Sequence, residues 1–179
     1  MAQQVAVFGG GCFWCTEAIF RDVCGVHAAV SGYMGGNVAD PSYSQVCTGT
    51  TGHAEVVQLS FDPDQVSYDQ LLDIHLATHD PTQLNRQGAD VGTQYRSAIF
   101  TYSDAQAEAA YAALERAKQI WDSPVVTDVS PAGDFWPAED YHQDYLKKNP
   151  HQPYCMAVVA PKLAKARQKF RHLLKSQAA

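Results

Sequence analysis

Hydrophobic and polar positions alternate with two different periods along this chain. A period of two runs through residues 54–61, where Val57, Leu59 and Phe61 share one face and polar side chains occupy the other. This alternation is typical of a half-buried strand. A helical period follows Ser67, which begins a Ser-x-x-Gln capping box in front of several apolar residues at helical spacing. The pattern therefore predicts a strand that leads into a helix.

Similar patterns predict the other elements. Strands are predicted at residues 5–8, 26–31, 98–102 and 125–129, and helices at residues 16–20, 139–148 and 157–179. A helix after Ser103 is expected to bury Ala107, Ala110, Tyr111, Leu114 and Trp121. Because strands alternate with helices, one domain with an α+β or α/β fold, built on one sheet, is expected over residues 1–179. Residues 35–53 and 81–96 match no element, and unassigned loops of that length are usually functional.

The composition is that of a folded globular protein, since 46% of the residues are hydrophobic and 18% are charged. The start of the sequence lacks the basic region of a signal peptide, and no apolar stretch approaches the ~18 residues that a membrane span needs. A cytoplasmic location without membrane association is therefore expected.

Charge is unevenly distributed along the chain. The net charge is −6, yet eight of the 13 basic residues lie from Lys147 onward. They give the helix at residues 157–179 a basic amphipathic character, and such helices can bind nucleic acid or a membrane surface. A terminal helix docked on the acidic body of its own domain is the simpler interpretation, so no nucleic-acid partner is expected.

Residues 9–15 read Gly-Gly-Gly-Cys-Phe-Trp-Cys and join the first predicted strand to the first predicted helix. Free backbone N–H groups and the helix dipole favour a thiolate at such a junction and can lower a cysteine pKa from ~8.5 to ~3.5–7.5. Cys12 is therefore a candidate nucleophile with a lowered pKa. Phe13 and Trp14 follow it, and two large aromatic side chains at a helix start indicate an apolar group to be held.

Glu55 is a candidate proton donor. Strand alternation predicts that its side chain lies on the same face as Val57 and Leu59, which is apolar. Burial raises the pKa of a carboxyl group, and a neutral Glu can donate a proton near pH 7. The alternative is a Glu at the strand end that turns toward solvent, and alternation alone does not decide between the two.

The two long loops carry further polar candidates. Tyr43 lies in the first loop, and Asp90 and Tyr95 lie in the second. On residue type alone, the tyrosines are interpreted as packing residues with one bonded hydroxyl, and Asp90 is compatible with a turn.

The five cysteines are Cys12, Cys15, Cys24, Cys47 and Cys155. An odd number without a secretory signal indicates thiols that stay reduced or serve redox chemistry. The spacing Cys12-x-x-Cys15 is also compatible with a dithiol–disulfide oxidoreductase, whereas a zinc site would need further ligand pairs that the sequence lacks. Cys24 and Cys47 are interpreted as small buried residues. Cys155 follows two prolines in a segment predicted to be mobile, from which it can approach another thiol.

Several motifs occur together between Val5 and Cys155. They are Gly11-Cys-Phe-Trp14, Gly32-Tyr-Met-Gly-Gly36, Pro41-Ser-Tyr43, Thr51-Gly-His-Ala-Glu55, residues 79–99 almost throughout, and Phe135-x-x-Ala-Glu139-x-x-His-Gln143-x-Tyr145. In this order they resemble the A-type peptide methionine sulfoxide reductases. The resemblance implies an α+β fold, a two-layer α/β sandwich with a ferredoxin-like core. It also implies repair of oxidative damage by reduction of methionine-S-sulfoxide, free or in oxidised proteins.

The resemblance further implies a role for each site residue. Cys12 is expected to attack the sulfoxide sulfur, and Phe13 and Trp14 to line the pocket for the methyl group. Glu55 is expected to protonate the sulfoxide oxygen while Tyr43 and Tyr95 bind the same oxygen and Asp90 orders the polar side. The positions of this sequence that match the family residues with these roles are Cys12, Phe13, Trp14, Tyr43, Glu55, Asp90 and Tyr95.

Recycling of the oxidised enzyme is also implied by the resemblance. Cys12 is expected to become a sulfenic acid, which condenses with a second thiol to a disulfide that thioredoxin reduces. Cys155 matches the usual resolving position, but Cys15 stands where many relatives have Gly and remains a second candidate. Neither a metal nor another cofactor is expected.

Overall fold

The computed structural model describes residues 3–175, which form a six-stranded sheet, a two-stranded hairpin and several helices. The sheet contains β1 (Gln4–Gly9), β2 (Val26–Met34), β3 (Ala54–Phe61), β6 (Ala98–Thr101), β7 (Asp128–Pro131) and β8 (Trp136–Pro137), and the hairpin contains β4 (Arg86–Gln87) and β5 (Asp90–Val91). The α-helices are α1 (Phe13–Arg21), α2 (Tyr43–Cys47), α3 (Tyr68–Thr78), α4 (Asp104–Lys118), α5 (Tyr145–Lys148) and α6 (Ala160–Lys169). Shorter helical turns lie at Thr93–Tyr95, Asp140–His142, Cys155–Val159 and Arg171–Leu173.

The sheet has the strand order β7-β6-β1-β3-β2-β8. Its centre, β6-β1-β3-β2, is antiparallel throughout, and β7 extends the sheet in parallel to β6. Apart from α2 and the hairpin, the central elements follow one another as β1-α1-β2-β3-α3-β6. This β-α-β-β-α-β order is the pattern from which a ferredoxin-like core is built. The expected mixed α/β fold with a central sheet is confirmed.

The two faces of the sheet are buried in different apolar clusters. Val57, Leu59 and Phe61 of β3 belong to the larger cluster, which also contains the buried faces of α1, α3, α4 and α6. Val56 belongs to the smaller cluster on the opposite face, which Phe135 helps to cover. Each fully buried large apolar side chain contributes about 1.5–3 kcal/mol to stability. The face predicted for Val57, Leu59 and Phe61 is therefore confirmed, but the opposite face is not polar throughout, since Val56 is buried there. Most helices lie on the side of the larger cluster.

The buried stripe of α4 agrees only in part with the predicted one. Ala110 is buried as predicted, and Leu114 and Trp121 are partly buried against the core. Ala113 and Ala117 are also buried, whereas Tyr111 is 56% exposed. The prediction assigned the largest apolar side chains to the interior, but α4 packs against α3, and small alanine side chains allow two helices to approach closely.

The C-terminal helix starts and ends earlier than predicted. A π-helical turn at Cys155–Val159 leads directly into α6, which ends at Lys169, and residues 176–179 of the predicted 157–179 helix lie outside the described residues. The buried residues of this continuous helix are Cys155, Val159, Leu163 and Ala166. Because they recur at helical spacing, one apolar stripe fixes the helix against α1.

Two further predicted elements are displaced or broken. The strand predicted at residues 125–129 begins at Asp128, because the N–H of Val126 donates to the carbonyl oxygen of Pro81 instead. The helix predicted at 139–148 is interrupted at Asp144, whose φ of +53° is left-handed and whose N–H donates to Glu17 Oε1 at 2.6 Å. No helix between residues 3 and 175 is long and apolar enough to cross a membrane.

Candidate active site

The loop between β1 and α1 places Cys12 at the N-terminus of α1, as its N-cap residue. Gly11 has a φ of +85°, and a Cβ atom there would lie 2.8 Å from the side chain of Gln87. A Cβ atom on Gly10 would lie 2.8 Å from the ring of His79. Only glycine lets the backbone turn this closely against its neighbours, so the loop fixes the position of Cys12.

The environment of Cys12 raises its pKa instead of lowering it. The residue is only 9% exposed, and its pKa is raised well above the usual value. Burial is the main cause, and the negative charge of Glu55 is the second. A hydrogen bond from the backbone N–H of Trp14 acts in the opposite direction. One N–H group does not replace the water that burial removes from the sulfur, so the prediction from the helix start is wrong in sign. Cys12 is therefore a thiol at neutral pH.

Glu55 is the buried carboxyl group of the site. It lies near the start of β3 and is 1% exposed, so the alternative of a solvent-facing side chain is wrong. Its Oε1 accepts a hydrogen bond from the N–H of Phe13 at 3.2 Å, while Oε2 is buried without a partner among residues 3–175. Burial raises the pKa of Glu55 to about 8. At pH 7 the group is mostly neutral, and its proton on Oε2 is free to be donated.

Phe13 and Trp14 form an aromatic wall beside Cys12. The ring of Phe13 is 1% exposed and lies 5.7 Å from the ring of Tyr33, measured between centroids. The indole of Trp14 stacks on Tyr145 at 3.7 Å with an angle of 3° between the planes. Its Nε1–H donates to Nδ1 of His142 at 3.0 Å. Stacking and this hydrogen bond together fix the orientation of the indole.

Tyr43 and Tyr95 come from the two stretches that matched no element in the sequence. Tyr43 is the first residue of α2, and Tyr95 ends the short helical turn Thr93–Tyr95. Burial raises the pKa of both hydroxyls, and the charge of Glu55 is the second cause in each case. The charge of Glu55 therefore acts on both tyrosine hydroxyls. Both hydroxyls are protonated at neutral pH and able to donate hydrogen bonds.

Asp90 links the β4–β5 hairpin to the C-terminal part of the chain. Its Oδ2 accepts a hydrogen bond from the hydroxyl of Tyr154 at 2.5 Å, and the ring of Tyr154 packs edge-on against Trp14. Burial is the main cause of the raised pKa of Glu55, and the negative charge of Asp90 raises it further. Asp90 thus acts on the electrostatics of the site and is more than a turn residue.

All five cysteines are free. Cys155 is fully buried at the start of the π-helical turn, and its N–H donates to Oε1 of Gln152 at 3.0 Å. The predicted mobile segment is therefore ordered helix at this residue, because Cys155 begins the apolar stripe that packs against α1. Cys15 is 3% exposed, and burial raises its pKa to about 11. After larger causes, the charge of Cys155 also raises the pKa of Cys15.

The interpretation of Cys24 and Cys47 as buried residues is wrong. Cys24 is partly exposed, and Cys47 is exposed at the end of α2. The thiol of Cys47 shares a hydrogen bond with the side chain of Tyr43, which places it at the rim of the site.

Two residues of the site received no role from the sequence. They are Glu139, which binds the backbone N–H of Tyr43 at 3.0 Å, and His142, which holds Trp14. The indole N–H of Trp14 could have indicated an acceptor such as His142, since a partly buried donor needs a hydrogen-bond partner. Within residues 3–175, no group of three or more His, Cys, Asp and Glu side chains is arranged to hold a metal ion.

Sequence comparison decides the family. A sequence model described as peptide methionine sulfoxide reductase matches residues 4–174. The chain belongs to the peptide methionine sulfoxide reductase family. A relative from Deinococcus radiodurans, named peptide methionine sulfoxide reductase MsrA, is 55% identical over 171 residues, which cover 94% of this chain and 83% of that protein. The chain is therefore an enzyme of the peptide methionine sulfoxide reductase type.

Solved structures of the family have the same fold. The reduced form of Mxr1 from Saccharomyces cerevisiae superposes with a TM-score of 0.81 at 36% identity, over 86% of this chain and 89% of that one. Mxr1 in complex with Trx2 superposes with a TM-score of 0.58 at 25% identity, over 80% of this chain and 84% of that one. The fold of this peptide methionine sulfoxide reductase is thus shared with Mxr1.

Proposed function

We propose that this enzyme reduces methionine-S-sulfoxide, free or in oxidised proteins, to methionine and so repairs oxidative damage. The observation that carries the proposal is the neutral, buried carboxyl of Glu55 beside the Cys12 thiol. A sulfoxide sulfur is a poor electrophile until its oxygen is protonated, so the reaction needs an acid next to the nucleophile. The S epimer follows from the family resemblance.

In the first step, the Cys12 sulfur attacks the sulfoxide sulfur while Glu55 donates its proton to the sulfoxide oxygen. The thiol proton of Cys12 replaces the proton that Glu55 has given. The oxygen is then transferred to Cys12, which becomes a sulfenic acid, and methionine leaves. Cys12 loses two electrons and the substrate sulfur gains them, so the step needs no metal or further cofactor.

The surrounding side chains orient the substrate in this proposal. Phe13 and Trp14 hold the methyl group, for which their fixed aromatic surfaces are suited. The hydroxyls of Tyr43 and Tyr95 bind the sulfoxide oxygen. The charge of Glu55 acts on both hydroxyls, which supports a site where these three groups donate to the charge that develops on the oxygen during the reaction.

Recycling proceeds through a disulfide. The sulfenic acid of Cys12 condenses with the thiol of Cys155, a sulfur–sulfur bond forms and water is released. Because Cys155 is fully buried and bonded to Gln152, the start of the C-terminal helix must move for this step. Thioredoxin then supplies two electrons and two protons, and the complex of yeast Mxr1 with Trx2 supports thioredoxin as the reductant. The proposal includes a cytoplasmic location, where thioredoxin keeps thiols reduced.

The geometry disfavours a general dithiol–disulfide oxidoreductase built on Cys12 and Cys15. Such enzymes attack their substrates through an accessible thiolate of low pKa. Cys12 and Cys15 are both buried, and burial raises the pKa of each thiol.

Steady-state turnover of the two separated methionine sulfoxide epimers tests the proposal. With thioredoxin, thioredoxin reductase and NADPH, the S epimer is expected to be reduced and the R epimer left unchanged. Cys12→Ser is expected to abolish turnover. Insulin reduction by the enzyme without sulfoxide turnover would support the dithiol oxidoreductase instead.

A further inference from the structure

The carboxylate of Glu139 binds three groups from different parts of the chain. Its Oε1 accepts a hydrogen bond from the hydroxyl of Tyr33 at 3.0 Å. Its Oε2 accepts one from the backbone N–H of Tyr43 at 3.0 Å and one from the hydroxyl of Tyr141 at 3.2 Å. Glu139 therefore connects β2 and the beginning of α2 to the short helical turn that follows it.

The charge of Glu139 strengthens these contacts. Partial burial raises its pKa, but hydrogen bonds from its own backbone and from Tyr43, Tyr33 and Tyr141 outweigh burial and lower the pKa below the usual value. Glu139 is therefore ionised at neutral pH. Hydrogen bonds to a charged acceptor are shorter and stronger than those between neutral groups, so the bond to Tyr43 is a firm anchor.

The same turn also contacts the opposite wall of the pocket. His142 lies three residues after Glu139, and its Nδ1 accepts the indole N–H of Trp14 at 3.0 Å. The ring of His142 packs against Tyr43 with 4.3 Å between centroids. Residues 139–142 thus bind the wall that carries Trp14 and the segment that carries Tyr43. This turn therefore helps to set the spacing between the methyl side and the oxygen side, together with the stacking of the Phe13 ring on the Tyr43 ring at 6.4 Å between centroids.

We propose that Glu139 is a positioning residue for sulfoxide reduction, which acts by fixing Tyr43 relative to the aromatic wall. This inference rests on the proposed function, because it assigns Glu139 a purpose only if Tyr43 binds the sulfoxide oxygen. Residues 35–53 contain little regular structure besides α2, so the hydroxyl of Tyr43 depends on external anchors for its position. The hydrogen bond to Glu139 is donated by the backbone N–H of Tyr43, the same residue that carries the hydroxyl.

A double-mutant cycle tests this proposal. Glu139→Ala is expected to slow methionine formation in a single turnover by roughly 10–10²-fold, as misplaced reacting groups do, with little effect on substrate binding. In the Tyr43→Phe background, which lacks the hydroxyl, the same substitution is expected to cost much less. Glu139→Gln keeps the side-chain volume and is expected to slow methionine formation by a smaller factor. It replaces Glu139→Ala in the double-mutant cycle if Glu139→Ala does not fold. Tyr141→Phe removes only the bond from the exposed tyrosine and is expected to react like wild type.

Amide hydrogen exchange at residues 43–47 provides a readout that is independent of activity. Exchange there is expected to be faster in both Glu139 variants and unchanged in Tyr141→Phe. Unchanged exchange, or an equal loss of rate with and without the Tyr43 hydroxyl, would overturn the positioning role. A wild-type enzyme that forms no methionine while exchange responds as expected would instead show that the proposed function has failed and that only the anchoring holds.

Discussion

Glu55 and Cys12 lie in the same buried site, and both side chains carry a proton at neutral pH. Burial raises the pKa of Glu55 to about 8 and that of Cys12 well above its usual value. The proposed acid is therefore protonated in the resting enzyme, but the proposed nucleophile is not ionised. In the proposed mechanism, attack by Cys12 and protonation of the substrate oxygen must consequently be coupled, since a thiolate formed in advance would be costly next to an apolar wall.

The role of Glu55 as the acid is tested by Glu55→Gln. The amide keeps an acceptor for the N–H of Phe13 but has no acidic proton, so the reductive step is expected to slow by roughly 10²–10⁴-fold while the substrate still binds. Rapid-quench measurement of methionine formation gives this rate. Glu17→Gln is a matched control, because Glu17 is also a 1% exposed carboxyl but bonds to the N–H of Asp144. Wild-type rates in Glu55→Gln would remove Glu55 from the mechanism.

The pH dependence of the same step has a defined sign. Glu55 is active when protonated, so the rate is expected to be flat below its pKa and to fall as the pH rises through about 8. The pKa of Cys12 is raised well above its usual value, so its ionisation does not offset this fall near pH 8. The measurement is the rapid-quench rate of methionine formation between pH 6 and pH 9.5, in steps of roughly half a pH unit. A rate that rises through this range would show that ionisation of Cys12, and not protonation of Glu55, limits the step.

Single residues were predictable from sequence where local geometry decided their environment. Strand alternation places Glu55 on the same face as Val57 and Leu59. It left open whether the side chain is buried, and the structure shows that it is. The pKa of Cys12 was not predictable, because it depends on burial and on the charges of residues far away in sequence, such as Glu55 and Asp90. Glu139 was missed for the same reason, since its bond to Tyr33 joins residues 106 positions apart.

Among the elements, the helix that contains Cys155 differs most from the prediction, which assigned this segment to a mobile tail. Pro150 and Pro153 suggested a mobile tail, but proline is tolerated in the first turn of a helix and does not prevent one from starting there. The stripe formed by Cys155, Val159 and Leu163 carries the spacing of a buried helix face and could have been read from the sequence. The thiol proposed to resolve the sulfenic acid is therefore held in the core, and the helix start must move for the proposed disulfide to form.

Substitution of the two candidate resolving cysteines tests this part of the proposal. Cys155→Ser is expected to yield about one methionine per enzyme and then to stall with thioredoxin, whereas dithiothreitol restores turnover by attacking the sulfenic acid directly. Cys15→Ser is the matched control and is expected to recycle with thioredoxin. Peptide mapping of the oxidised wild type should find Cys12 joined to Cys155. A Cys12–Cys15 disulfide, together with normal recycling of Cys155→Ser, would transfer the resolving role to Cys15.

At the scale of the whole molecule, the sheet brings distant segments to one place. Phe13 at the start of α1 donates to Glu55 near the start of β3, and the neighbouring strand β2 carries Tyr33 toward Glu139. The order of strands and helices was predictable from periodicity. The contents of residues 35–53 and 81–96 were not, because α2 and the β4–β5 hairpin are short and are stabilised by contacts with other segments. Only the family resemblance assigned roles to Tyr43, Asp90 and Tyr95 before the structure.

The central claim is that Cys12 accepts the oxygen of the substrate with Glu55 as the acid. The most direct test is a single turnover of the Cys15→Ser/Cys155→Ser double variant with the S epimer, with dimedone present to trap sulfenic acid. About one methionine per enzyme and a dimedone adduct on Cys12 are expected, because both candidate resolving thiols have been removed. The same experiment with Glu55→Gln added is expected to give both products far more slowly. Formation of methionine without any adduct on Cys12, or an undiminished yield after Cys12→Ser, would contradict the claim.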